Sequence, residues 1–90
     1  MVKIETKTGY KCKVNEKVLE DIRFLEDFSK MEKGEITAIF DLMDRILGDE
    51  QKEKLYKHCE DKDGLVPAET LGEELADVFE ILSEKAETKN

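Results

Sequence analysis

The chain lacks tryptophan and long apolar runs, and it is poor in cysteine, histidine and proline. It contains one proline, one histidine and two cysteines among 90 residues. No stretch approaches the roughly 20 consecutive apolar residues of a transmembrane helix. Residues 1–13 also lack the apolar core of a secretory signal peptide. We therefore expect a cytoplasmic protein that does not bind a membrane.

The scarcity of cysteine and histidine argues against a metal site or a disulfide. Cys12 and Cys59 do not form the paired C-x-x-C spacing of zinc proteins. His58 and Cys59 are adjacent, so on a helix their side chains point about 100° apart. Without a secretory signal, both cysteines are expected to be reduced thiols. The sequence predicts no metal and no cofactor.

The segment at residues 59–70 imitates part of a calcium loop without completing it. Asp61, Asp63 and Gly64 have the spacing of an EF-hand loop, but Cys59 stands where an acidic or amide ligand is needed and Thr70 where a bidentate glutamate is needed. We expect a polar turn here. No Ser-His-Asp arrangement or phosphate-binding glycine loop occurs elsewhere, so the chain is not expected to be an enzyme.

Basic residues are outnumbered by acidic ones, 15 against 23, which gives a formal net charge of −8. An acidic surface argues against nucleic-acid or anionic-membrane binding, because both need a basic patch. Hydrophobic residues still reach 39%, too many for a disordered acidic tail. We expect one folded domain over residues 1–90 whose partners are proteins.

The first 14 residues alternate between apolar and polar side chains. Val2 and Ile4 alternate with lysine and glutamate, and the same alternation returns after Gly9. This period of two predicts a β-hairpin over 2–14 with one apolar face. A lone hairpin is marginal in water. Its apolar face must lie on helices, or its edge must pair with a strand of another copy, and both remain open.

After residue 14 the apolar period changes to that of helices. The predicted helices span 16–33, 35–47, 50–60 and 67–85, and residues 87–90 are expected to fray. The helix at 35–47 is the densest apolar run and should be the central core element. Its apolar face is predicted to hold Ile36, Ile39, Phe40, Met43, Ile46 and Leu47, with Leu42 off the main stripe. The fold class is thus α+β, mainly helical, with a hairpin followed by four helices.

The first helix carries two apolar stripes. One contains Val18, Ile22 and Leu25, and the other contains Phe24, Phe28 and Met31. Together they cover more than half of the helix, so it could be a central helix with neighbours on both sides. Alternatively, the second stripe is a contact surface for a partner or another copy, since such surfaces are enriched in aromatics and Met. Phe24, Phe28 and Met31 are the candidate partner-binding residues.

Three segments resemble a known family. They are LGDEQKEKL at 47–55, DKDGLVP at 61–67, and EEL at 73–75 with FE at 79–80. These segments resemble tail assembly chaperones of long-tailed phages and prophages of Gram-positive bacteria, and the likeness spans most of the chain. The resemblance implies a small, acidic, mostly helical protein in the host bacterial cytoplasm. It also implies a non-enzymatic role in which the protein holds the tape measure protein before the tail tube forms.

Two other functions compete with the chaperone interpretation. An acidic regulator or DNA mimic would bind a basic protein through its carboxylates, in a strongly salt-dependent way. A small metal-dependent enzyme would need ligand sets that the sequence lacks. We also expect homo-oligomers, formed through the first helix, the hairpin or both, because the hairpin has open edges and the first helix a second apolar stripe.

Overall fold

Two strands, a 3₁₀ helix and three α-helices make up residues 1–87, the part of the chain that the computed structural model describes. In chain order they are β1 (Val2–Glu5), β2 (Lys11–Val14), the 3₁₀ helix (Glu16–Glu20), α1 (Ile22–Glu32), α2 (Ala38–Cys59) and α3 (Ala68–Glu87). The mainly helical α+β class with an N-terminal hairpin is confirmed. Of the tail predicted at 87–90, Glu87 belongs to α3, and the rest lies outside the described residues.

The prediction of four helices is wrong, because the helices predicted at 35–47 and 50–60 form the single element α2. Gly48 is non-helical, with φ 74° and ψ 173°. A positive φ is accessible to glycine without a Cβ clash. The helix resumes directly after this residue, so Gly48 kinks α2 instead of opening a loop. The element also begins later than predicted, at Ala38.

The helix predicted at 16–33 is divided in two by a second capping residue. Asn15 caps the 3₁₀ helix, since its side chain accepts a 3.0 Å hydrogen bond from the Lys17 amide. Asp21 is extended, with ψ 123°, and its carboxylate accepts a 2.9 Å bond from the Arg23 amide. A side chain that caps the following turn favours an extended backbone at its own position. The chain therefore changes direction before α1.

The hairpin forms as predicted, and its apolar face lies on the helices. The strands pair antiparallel, with Val2 opposite Val14 and Ile4 opposite Cys12, and all four side chains are buried. The turn is closed by a 2.9 Å bond from the Thr6 amide to the Tyr10 carbonyl. Of the two options left open for this face, packing on the helices is the one that the structure shows.

Both edges of the hairpin are also contacted by side chains from the helices. The Gln51 amide group accepts a 2.7 Å bond from the Lys13 amide and donates a 2.9 Å bond to the Lys13 carbonyl. On the other edge, Lys85 Nζ donates to the Lys3 carbonyl. These side chains are hydrogen-bonded to the backbone groups with which a strand of another copy would have to pair. Strand pairing between copies would have to displace them.

The core lies between the inner face of the hairpin, α2 and α3. Its largest fully buried side chains are Ile4, Val14, Leu42, Met43, Leu55, Leu75, Val78 and Leu82. Leu42, predicted off the main stripe, is 0% exposed, whereas Ile36 is 73% and Phe40 49% exposed. The predicted face is rotated because α2 starts after Ile36 and packs against α1, α3 and β2 at once.

Across the described helices, α1 is too short and α2 and α3 are too polar to cross a membrane.

Candidate protein-binding groove

Helix α1 turns its aromatic stripe toward the core and leaves two residues of its other stripe exposed. Phe24 is 4% exposed, and Phe28 and Met31 are half-buried against the core. Ile22 and Leu25, which were expected inside, are 74% and 46% exposed. The capping of α1 by Asp21 fixes where the helix starts, and the neighbouring helices α2 and α3 then determine which of the two stripes is covered.

Three phenylalanine rings join α1 to α3. The Phe24 and Phe28 rings stack with centroids 5.9 Å apart. Phe79 of α3 meets both edge-on, at 6.1 Å from Phe24 and 5.9 Å from Phe28. Such offset and edge-to-face arrangements are the favoured geometries of aromatic pairs. No local sequence pattern links Phe79 to the first helix, because an apolar stripe on one helix does not identify its partner on another.

An open groove of about 290 Å³ lies beside these rings, which we call the apolar groove. It is lined by Leu19, Phe24, Leu25, Phe28, Phe79, Glu80 and Ser83. Of the three candidate residues, Phe24 and Phe28 line this groove, and Met31 is not among its lining residues. Whether the three bind a partner stays a prediction. Leu25 is the most exposed apolar side chain of the groove.

The groove has the chemistry of a docking surface for an apolar side chain. Its polar groups are limited to the Ser83 hydroxyl and the Glu80 carboxylate. Pockets that enclose small molecules span roughly 300–1,000 Å³ and cover most of the ligand. This groove lies at the lower limit of that range and is open. It suits one or two apolar side chains of another polypeptide better than a small substrate.

An ion pair anchors α1 on α2 below the groove. Arg45 Nε donates a 2.8 Å hydrogen bond to Asp27 Oδ2, and Asp27 is 4% exposed. The hydrogen bond to Asp27 raises the pKa of Arg45 above its ordinary value. Since a buried carboxylate without a partner is costly, this contact helps to define the position of α1.

A second polar cluster connects the hairpin turn to α2 and α3. The buried Glu74 carboxylate accepts 2.8 Å hydrogen bonds from the Thr6 and Thr8 hydroxyls. His58 Nε2 lies 2.8 Å from the Thr8 hydroxyl. Because that hydroxyl donates its proton to Glu74, His58 serves as the donor toward it and not as a base. The cluster holds the turn in place and does not have the geometry of an activated nucleophile.

In the segment that resembles part of a calcium loop, the first carboxylate, that of Asp61, is hydrogen-bonded to the backbone of the segment itself. Asp61 Oδ1 accepts hydrogen bonds from the Asp63 amide at 2.9 Å and the Leu65 amide at 3.0 Å. This is the local side-chain-to-backbone bonding of a polar turn. Within residues 1–87, no three histidine, cysteine or acidic side chains are grouped so that they could hold a metal ion.

The two cysteines are buried free thiols whose ionisation is disfavoured. Burial raises the pKa of Cys12 from 9.0 to about 11. Burial, and then the charge of Glu74, raises the pKa of Cys59. Burial also raises the pKa of Tyr10, which lies beside Cys12. Thiols held in the protonated form are poor nucleophiles, so these residues contribute to the core and not to chemistry.

Alkaline pH is expected to destabilise the protein through Cys12. Well below pH 9 the Cys12 thiol is protonated in both the folded and the unfolded protein, so its burial costs no stability there. Between pH 9 and about 11 the unfolded chain loses the proton and the folded chain keeps it, so stability falls as the pH rises. The expected loss is about 2 to 3 kcal/mol. Urea unfolding at several pH values measures it.

The matched variant for this prediction is Cys12→Val, which keeps a small apolar side chain and removes the titrating group. Its stability should fall less steeply than that of the wild type between pH 9 and 11. Tyr10 and Cys59 remain in both proteins and provide the common background. Equal slopes for the two proteins would contradict the assignment to Cys12.

Comparison with known proteins adds no relative to this description. The chain matches no protein-family model, no curated protein and no solved structure. Functional inference therefore depends on the geometry of the groove, the distribution of charge and the resemblance carried by the three sequence segments.

Proposed function

We propose that this protein is a non-enzymatic tail assembly chaperone of a phage or prophage, which binds and shields the tape measure protein before the tail tube forms. The observation that carries the proposal is the apolar groove between α1 and α3, where Leu25 is 46% exposed beside three phenylalanine rings. The resemblance of the segments at 47–55, 61–67 and 73–80 to that chaperone family supports the choice of client. No catalytic constellation competes for this surface in the described residues.

The proposed mechanism is the shielding of apolar segments on a long helical client. An amphipathic helix presents apolar side chains at i, i+3, i+4 and i+7, and a groove can take one or two of them. One such contact is weak by itself. Several copies bound along one client would act together and keep its apolar stripe away from other chains until the tube replaces them. The negative charge of the complex would keep it in solution.

The test uses overlapping synthetic peptides that cover the proposed client, the tape measure protein. Leu25→Lys places an ammonium group at the rim of the groove and should weaken binding of apolar peptides at least about tenfold, because a charge would have to be desolvated on docking. Fluorescence anisotropy or calorimetry measures the affinity. Circular dichroism of the variant shows whether the fold is kept.

The matched control is Ile36→Lys, which makes the same substitution at an apolar residue that is 73% exposed and outside the groove. Its affinity for the peptides should stay within about twofold of the wild type. If no peptide binds, or if both variants weaken binding equally, the proposed role of the groove is wrong.

A second candidate function is an acidic regulator or DNA mimic that binds a basic protein. The feature that favours it is the acidic charge of α3, whose residues 68–84 include six acidic side chains and no lysine or arginine. The salt dependence of partner binding distinguishes the two functions. Binding through carboxylates should weaken strongly when NaCl is raised from about 0.05 to 0.5 M, whereas docking of apolar side chains should persist.

A further inference from the structure

The charge of this protein is divided sharply between the hairpin and the helices. Residues 1–14 contain four lysines and one glutamate, a formal charge of +3. The whole chain has a formal charge of −8, so residues 15–90 carry −11. The hairpin is therefore a basic surface on an acidic protein, and a field of this kind orients two copies so that unlike regions approach each other.

The lysines of the hairpin lie together on its outer face, which we call the lysine face. Lys3 and Lys13 are directly opposite each other in the strand register, and Lys11 is opposite Glu5. These residues and Lys85 surround an open depression of about 560 Å³. Like charges directly opposite in a sheet repel, and one glutamate among four lysines does not compensate for them. An anionic group bound in the depression would compensate for this repulsion between the lysines.

Helix α3 presents the complementary arrangement, which we call the acidic stripe. It consists of Glu69, Glu73, Asp77, Glu80 and Glu84. At about 100° per residue these positions fall within one quarter of the helix circumference. All of them are exposed except Asp77, which is half-buried and accepts a hydrogen bond from the Lys7 amide. In the ion pairs found for residues 1–87, none of the five takes part.

The spacing between the lysines of the lysine face matches the spacing between successive carboxylates of the acidic stripe. Opposite residues in neighbouring strands are about 5 Å apart at Cβ, and alternate residues in one strand are about 7 Å apart. Residues four apart on a helix are separated by about 5 to 6 Å. The ammonium groups of the lysine face can thus meet successive carboxylates along one helix, and the repulsion within each surface is then relieved.

We propose that the lysine face of one copy binds the acidic stripe of a second copy. The two surfaces differ, so the contact is heterologous and leaves one lysine face and one acidic stripe available for further copies, as a chain or a ring requires. It uses the outer face of the hairpin and not its edges, which Gln51 and Lys85 already contact. Of the five residues of the acidic stripe, Glu80 alone also lines the apolar groove, so the contact between copies does not depend on the proposed client.

The test is the state of association in solution, measured by sedimentation velocity over a range of concentrations. The wild type should self-associate at about 50 mM NaCl and dissociate at about 500 mM, because the contact is screened. Lys3→Glu with Lys13→Glu should raise the dissociation constant at least about tenfold. The charge-matched control is Lys17→Glu with Lys62→Glu, at two exposed lysines outside the depression, and it should associate much more tightly than the first variant.

A charge exchange then tests which surface the lysine face binds. Glu73→Lys with Glu84→Lys reverses two positions of the acidic stripe, both outside the apolar groove, and should also abolish self-association. An equimolar mixture of this variant with Lys3→Glu/Lys13→Glu should associate again, because the intact lysine face of one variant meets the intact acidic stripe of the other, and the two reversed surfaces also complement each other. A wild type that remains monomeric at low salt, equal loss in the Lys17/Lys62 control, or a mixture that stays monomeric would each overturn the proposal.

Discussion

Phe24→Ala is expected to lower the free energy of unfolding by about 3 to 5 kcal/mol, the range for truncating a buried phenylalanine. Phe24 is 4% exposed, and its ring contacts those of Phe28 and Phe79. The substitution would remove one of the two aromatic contacts between α1 and α3 and leave a cavity in its place. For a domain whose total stability is about 5 to 15 kcal/mol, this loss is large. Urea unfolding followed by circular dichroism measures it.

The control for Phe24 is Ile22→Ala, in the same helix at a residue that is 74% exposed. It should change the unfolding free energy by no more than about 0.5 kcal/mol, because little apolar surface returns to water. The contrast is informative because the sequence placed Ile22 in a stripe expected to be buried and Phe24 among the candidate partner-binding residues. A large loss in Ile22→Ala together with a small loss in Phe24→Ala would mean that α1 is rotated relative to the structure described above.

The substitution Leu42→Ala should cost about 2 to 5 kcal/mol, the range found for buried leucine. Leu42 is 0% exposed in α2, with Met43, also 0% exposed, beside it. Since α2 packs against α1, α3 and the hairpin, the surrounding side chains have little freedom to close the cavity. The unfolding midpoint in urea should fall without a change in the slope of the transition.

The matched control here is Phe40→Ala, two residues earlier in the same helix. Phe40 is larger than leucine, but it is 49% exposed, so its truncation should cost less than about 1.5 kcal/mol. If side-chain size alone decided the cost, Phe40→Ala would be the more damaging variant. That order of stabilities would contradict the orientation of α2.

The sequence predicts only part of the candidate site. A stripe with two phenylalanines and a methionine on the first helix directed attention to the correct helix, and Phe24 and Phe28 do line the apolar groove. The residue that completes the site, Phe79, is 51 positions after Phe28 and gives no local signal of its contact with it. The exposed rim residue, Leu25, was assigned to the core because its helical spacing with Val18 is that of a buried stripe.

The sequence by itself determined the local elements of this protein. Alternation of apolar and charged residues around Gly9 is sufficient for a hairpin, because a period of two places one set of side chains on one face. Asn15 is a capping residue by its chemistry, and Gly34 and Gly48 adopt positive φ values of 96° and 74° that other residues rarely reach. These preferences act over a few residues and need no distant contact.

Tertiary structure decided which apolar residues are inside. Both apolar stripes are hydrophobic enough to be buried, and the choice between them follows from where α2 and α3 lie. Leu42 is buried and Ile36 exposed because three elements surround α2, so its covered arc is set by their positions and not by its own periodicity. Gly48 likewise bends a helix that continues, since the packing on both sides of the kink holds α2 together as one element.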